Sequence, residues 1–251
     1  MDTETPLMKR RLLFAGIPVD FIPEESLDLA IQELVSQKDI FPIVFLDFRG
    51  YMRARRKADY RSFLNAAALV VPVSRRLQKG YRYLRKETLP IYMPFDFIIR
   101  LLGILEKHGW STYLFSSRPN DLAKAAGNLR ASFPGLKIIG RHAGYFSSDL
   151  EEDIILAIRK ASPTLLLAGR GVPGKETWIK KHKNRLNPGL FLWCGECFDI
   201  FSGVKSRPSR KTWERSLEGL RHLLLKPWRI FRLFSHLFYW IMLTVQRIRK
   251  L

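Results

Sequence analysis

Residues 164–181 read TLLLAGRGVPGKETWIKK: an apolar run, a Gly/Pro turn, and a helix entered through Glu176, Thr177 and Trp178. How this stretch is read decides the fold. It satisfies Gly-x-Gly-x-x-Gly and nearly satisfies Gly-x-x-x-x-Gly-Lys-[Ser/Thr], the two loops that cradle phosphates. A dinucleotide loop belongs in the first strand-turn-helix unit, with an acidic residue roughly 20 positions further on, whereas this one follows a late strand. Pro173 removes a backbone N–H that would face a phosphate, and Glu176 stands where a phosphate loop needs a hydroxyl. Neither nucleotide loop fits. What remains is a strand, a tight turn and a helix whose first N–H groups can attract an anion; the alternative is a plain connecting turn.

Working outward, the same alternation repeats. Short apolar runs occur at Arg11–Ala15, Pro42–Phe48, Ala68–Val71, Thr112–Phe115, Leu136–Ile139 and Gly189–Cys194. Between them lie stretches of helical spacing. Glu24–Gln37 puts Leu27, Ala30, Ile31 and Leu34 on one stripe, and Phe95–Lys107 does so with Ile98, Leu101, Leu102 and Leu105. A cap-like Asn120 opens another helix, and Ser148 through Glu152 opens the next with acidic residues in its first turn. Strands alternating with helices predict a doubly wound, mostly parallel α/β sheet with helices on both faces. Ligands of such sheets bind beyond the carboxyl ends of the strands, so Asp47, Pro72, Ser116, Gly169 and Gly195 mark the loops to search.

The chain has 251 residues, 47% of them hydrophobic, enough for a large globular domain. Its formal charge of +20 calls for an anionic partner: nucleic acid, an acidic membrane surface or a phosphorylated ligand. The N-terminus lacks a long apolar core, which predicts a cytoplasmic, reducing location. The two cysteines form Cys194-Gly-Glu-Cys197. The first closes an apolar run instead of opening a helix, so the spacing is read as incidental and not as a redox motif. Two cysteines cannot complete a zinc site, and His108, His142, His182, His222 and His236 are scattered without ligand spacing. No metal and no cofactor is expected.

The order of motifs resembles the WecG/TagA/CpsF glycosyltransferases. It is carried by Leu136-Lys-Ile-Ile-Gly-Arg-His-Ala-Gly-Tyr-Phe146, by Gly169-Arg-Gly171-Val-Pro173 with Glu176-Thr-Trp178-Ile, and by Gly195 with Phe198-Asp199 and Ser202-Gly203. It runs from Leu12 to about Arg232. The resemblance implies an inverting, metal-independent transfer of an N-acetylhexosamine-type sugar from a UDP donor to a polyprenyl-diphosphate-linked acceptor, in surface-polysaccharide synthesis. Gly169, Gly171, Pro173, Lys175, Glu176, Gly195 and Asp199 then become donor-binding candidates.

The chain departs from the family where chemistry is expected. Phe45 and Asp47 stand at the family's Thr-x-Asn, and Val73 stands at the acidic position of its Pro-Asp-Gly, the usual catalytic candidate. Pro94-Phe95-Asp96 replaces Gly-Ser-Asp, Lys175 replaces a Gln, and Gly195-Glu196 replaces a Gly pair. Valine accepts no proton. Either Asp47 or Asp96 serves as the base, or the chain is a degenerate relative that binds a ligand or partner without turnover. Each of these residues also has a structural reading: Asp47 and Asp96 as helix caps, Asp199 as a loop-fixing carboxylate, Lys175 as a solvated charge.

Residues 1–205 are read as the transferase-like domain and 206–251 as a basic amphipathic appendage. From Ser206 onward, eleven Lys or Arg face two acidic residues, interleaved with Trp213, Leu217, Trp228, Phe231, Phe234, Phe238 and Trp240. Basic residues opposite an aromatic and Leu face suit an anionic membrane interface. The uncharged run Leu233–Gln246 is 14 residues, short of the roughly 20 needed to span a bilayer. Peripheral docking is expected, with a core-packing terminal helix as the alternative. By resemblance, Arg207, Arg210 and Arg215 help to hold the diphosphate. A second basic and aromatic cluster, Arg49–Lys57 and Arg75–Lys86, suits a diphosphate or anionic lipid better than nucleic acid, for which no motif is present. A homo-oligomer is compatible with all of this.

Overall fold

The computed structural model describes residues 9–209 and 230–248. The chain opens with β1 (Arg10–Phe14) and β2 (Ile17–Phe21), followed by α1 (Leu27–Ser36), β3 (Ile40–Leu46), α2 (Phe48–Arg56), α3 (Ala58–Ala66), β4 (Leu69–Pro72) and α4 (Arg75–Arg85). It continues through α5 (Pro94–Lys107), β5 (Ser111–Phe115), α6 (Pro119–Ser132), β6 (Lys137–His142), α7 (Glu151–Ala161) and β7 (Leu165–Ala168). Last come α8 (Trp178–His182), β8 (Gly189–Trp193), α9 (Cys197–Phe201) and α10 (Ile230–Ile248).

Six strands form one sheet in the order β4-β3-β8-β7-β5-β6, and every pairing in it is parallel. Successive strand residues point to opposite faces, and the apolar runs feed two cores accordingly. Val44, Leu46, Val70, Leu166 and Phe191 join one cluster, with residues of α2, α3, α4, α7 and α10. Ile43, Leu69, Val71, Leu167 and Leu192 join the other, with residues of α1, α5, α6 and α9. This is why the central runs are apolar throughout instead of alternating: both faces are covered, whereas the edge strand β6 alternates between exposed and half-buried residues.

The first apolar run behaves differently from the rest. β1 lies outside the main sheet and pairs antiparallel with β2. Ala15 (φ 52°) and Gly16 (φ 78°) make the turn in the left-handed region, which matches the twist of a two-residue hairpin. The hairpin is tied to the edge strand β4 by Asp20, whose carboxylate accepts from the Val70 backbone N–H at 2.6 Å. The same carboxylate receives the Arg11 guanidinium at 2.7 and 2.8 Å. Asp20 is only 1% exposed, so removing it leaves the Val70 N–H without its acceptor and takes one partner from Arg11, whose guanidinium keeps the Ala67 carbonyl at 2.7 Å. Asp20→Ala is expected to lower unfolding stability by about 2 kcal/mol, the cost of one buried donor left unsatisfied, read as a shifted urea midpoint.

α10 packs into the core, as the alternative reading of the C-terminal segment expected. Tyr239 and Leu243 are buried in the core shared with α4. The Tyr239 hydroxyl donates to the Arg76 carbonyl at 3.2 Å, and its ring meets Phe48 and Tyr51 edge-on. Gly80 makes this approach possible, because a Cβ there would collide with the Tyr239 ring. Phe238, Ile241, Val245 and Ile248 lie on the other side of the helix, exposed.

Candidate active site

A cleft of about 530 Å³ opens at the carboxyl ends of β3, β4 and β8. Strand order creates it: β3 lies between β4 and β8, with β7 next, so loops distant in sequence meet. Asp47, Arg49 and Arg53 enter from the β3 end, Val73 from the β4 end, Lys175 and Glu176 from beyond β7, and Trp193 through Cys197 from the β8 end.

Asp47 caps α2, its Oδ1 accepting from the Gly50 N–H at 2.7 Å. The cap occupies one oxygen and holds the carboxylate at the cleft wall, so the capping and site readings coexist. The same lining holds cations and two further acids, one of them clamped. Glu176 accepts from Arg53 Nη1 at 3.0 Å, and Arg53 lies 4.1 Å from the centroid of the Tyr60 ring. Burial, and then the charge of Glu176, push the Tyr60 phenol well above its ordinary range, so it stays protonated and donates to Glu176. Lys175 Nζ sits 5.9 Å from the centroid of the Trp193 ring. Asp47, Glu176 and Glu196 thus share the cleft with Arg49, Arg53 and Lys175.

The Gly/Pro turn acts from behind. Gly169, Gly171 and Pro173 are outside the cleft lining. Gly171 has φ 89° and abuts the backbone of Gly144 and Tyr145. Arg170 O accepts from the Ser117 N–H at 2.8 Å, and Ser117 O from the Gly144 N–H at 3.0 Å. The turn is stitched to the loop after β6, which aims Lys175 and Glu176 into the cleft. Beyond it a 3₁₀ turn, Lys175–Thr177, precedes α8, whose five residues make no long dipole for an anion.

Asp199 is also set back from the lining, paired to Arg170 at 3.2 Å and to Lys205 at 3.3 Å, in keeping with the loop-fixing reading. Asp96 sits in the first turn of α5 and accepts from Arg207 at 2.6 Å. It borders a separate pocket with Tyr92 and Arg100, not the main cleft. Arg207 therefore neutralises Asp96. Arg210 and Arg215, like Trp213 and Trp228, lie outside the described residues. The structure also corrects the reading of Cys194 and Cys197 as incidental, since the two are joined in a disulfide at the cleft wall.

Sequence reasoning missed Tyr60 and Trp193, which carry no motif and reach the cleft only through packing. Arg49 and Arg53 had a signal in the basic cluster after β3.

The glycosyl transferase WecG/TagA/CpsF family model matches residues 12–251. One relative, the N-acetylglucosaminyldiphosphoundecaprenol N-acetyl-beta-D-mannosaminyltransferase of Bacillus subtilis (strain 168), is 25% identical over 187 residues, 72% of this chain and 70% of that protein. With a parallel sheet, a cleft beyond its carboxyl ends and a family match over nearly its whole length, the chain belongs to the WecG/TagA/CpsF glycosyl transferases.

Proposed function

We propose that the cleft binds a UDP-linked N-acetylhexosamine and transfers the sugar, with inversion and without a metal, to a polyprenyl-diphosphate-linked acceptor in cell-envelope polysaccharide synthesis. The observation that carries this reading is the placement of Asp47, beside Glu176 and Glu196, in the same cleft as Arg49, Arg53 and Lys175. Inverting transfer needs a base to take the acceptor hydroxyl proton as its oxygen attacks the anomeric carbon from the face opposite the leaving group. Cations must then take up the charge growing on the departing UDP. Asp47 serves as the base, and the three cations receive the diphosphate. Lys175, at the family's Gln position, adds a full charge where an amide stood.

A second reading, a binding or scaffold subunit without turnover, is favoured by Val73, which lines the cleft at the family's acidic position. Acceptor-dependent UDP release decides between them. Wild-type protein, a panel of UDP-sugars, a short-chain polyprenyl-diphosphate N-acetylglucosamine acceptor and anionic vesicles should give release above the donor-only rate. Saturable UDP-sugar binding with no release would establish the second reading.

The enzyme works docked peripherally on an anionic, cytoplasm-facing membrane surface. Among the described residues no helix is long and apolar enough to cross a bilayer. The exposed Phe238, Ile241, Val245 and Ile248 of α10 lie on the helix that packs against α4, where Arg76, Lys79, Arg82 and Arg85 are exposed. Apolar insertion flanked by basic residues suits an anionic lipid interface. Phe238→Ser with Ile241→Ser removes two side chains worth roughly 1.5–3 kcal/mol each when fully buried. Partitioning into phosphatidylglycerol-containing vesicles should fall by at least about tenfold in sedimentation at low salt.

A further inference from the structure

Cys194 and Cys197 lie in the wall of the cleft. Cys194 directly follows β8, its N–H donating to Ala168 O at 2.8 Å, and Cys197 begins α9. Their Cα atoms are 5.8 Å apart, inside the roughly 4.4–6.8 Å range that a disulfide requires, so the backbone accommodates the bond as it stands. Between them sit Gly195 and Glu196. A Cβ on Gly195 would come within 2.8 Å of the Trp193 ring, and the Trp193 indole N–H donates to Gly169 O at 2.8 Å. The bridged Gly195 loop therefore packs closely on the side chain that anchors the start of the Gly/Pro turn. On the other side Glu196 pairs with Lys205 at 3.2 Å, and Lys205 reaches Asp199 at 3.3 Å.

We propose that Cys194 and Cys197 form a reversible thiol–disulfide modification site whose oxidation closes the Gly195–Glu196 loop into the shape that binds the donor, and whose reduction loosens it. The donor part rests on the cleft being the donor site. Both cysteines line the cleft, and Cys194 is the more exposed of the two, 7% against 1%. Its thiolate attacks one sulfur of a small-molecule disulfide, and the departing sulfur leaves as a thiolate that takes up a proton. The Cys197 thiolate then attacks Cys194 Sγ in the mixed disulfide and releases the second thiol. The pair loses two electrons and two protons; the reagent disulfide gains both and becomes two thiols.

The disulfide removes freedom from a loop that reduction restores, so ordering the loop becomes a cost of binding only in the dithiol form. The test equilibrates full-length protein in reduced-to-oxidised glutathione buffers of stepped ratio. Thiol state is read by alkylation and mass, amide exchange over residues 194–201, and UDP-N-acetylhexosamine affinity. The pair should pass from dithiol to disulfide within the series. Exchange in the loop should be roughly tenfold faster in the dithiol form, with donor affinity weaker by a similar factor. Cys194→Ala/Cys197→Ala and Cys194→Ser/Cys197→Ser proteins should match the dithiol form in every buffer; using both pairs separates a hydroxyl-burial defect from loss of the bridge. A pair that stays in one state throughout, or equal loop exchange in both states, overturns the proposal. Redox-dependent exchange with no donor binding in either state refutes the donor-site reading of the cleft and leaves the thiol–disulfide site standing.

Discussion

Asp47→Asn is expected to lower acceptor-dependent transfer by about 10²- to 10⁴-fold, the range a positioned general base contributes, while changing donor affinity by less than about threefold. The amide is isosteric, and its oxygen can still accept from Gly50 N–H as Asp47 Oδ1 does at 2.7 Å. The α2 cap therefore survives, and a loss of rate is not a loss of fold. What the amide cannot do is accept the acceptor proton. Asp96→Asn gives the contrast: Asp96 is neutralised by Arg207 and borders a different pocket, so its rate should stay within about tenfold of wild type. The measurement is kcat for UDP release beside donor affinity by calorimetry. A fully active Asp47→Asn protein with an inactive Asp96→Asn protein would reverse the assignment.

Gly171→Ala should be the most destabilising small substitution near the site. Its φ of 89° is strained for any residue with a side chain, and a Cβ there would lie 2.6 Å from the Gly144 carbonyl carbon and 2.7 Å from the Tyr145 nitrogen. Both neighbours are backbone, so no rotamer change relieves the contact. Backbone strain and the clash together should cost about 3 kcal/mol or more, and surviving folded protein should bind donor poorly because the turn no longer aims Lys175 and Glu176. Gly127→Ala is the control. It lies in α6 with nothing near its added methyl, and replacing a mid-helix glycine should raise stability by up to about 1 kcal/mol. Equal melting temperatures for the two variants would dismiss the packing account of the turn.

Much of the fold was legible because parallel strands covered on both faces must be apolar runs, and the helices between them must carry stripes. The runs around Ile43, Leu114, Leu166 and Phe191 each became a central strand. β2 was not legible. Its Ile17-Pro-Val-Asp-Phe21 mixes a proline with a buried aspartate, and the hairpin turn uses Ala15 where a reader looks for Asn or Asp. Asp20 looks like a surface charge until Arg11 and the edge of β4 are placed around it.

The sequence by itself determined the layer architecture, the strand-turn-helix unit at Gly169–Glu176, the family and the basic segments, since these depend on local periodicity, turn chemistry and motif order. Only the tertiary structure decided which residues share a cleft. Strand order brings β3 and β8 together across nearly 150 positions of sequence, and pairing within a parallel sheet is a choice among long-range contacts that no local pattern encodes. For that reason Asp47 shares a cleft with Lys175 while Asp96 is tied to Arg207, and two cysteines that looked incidental line the site.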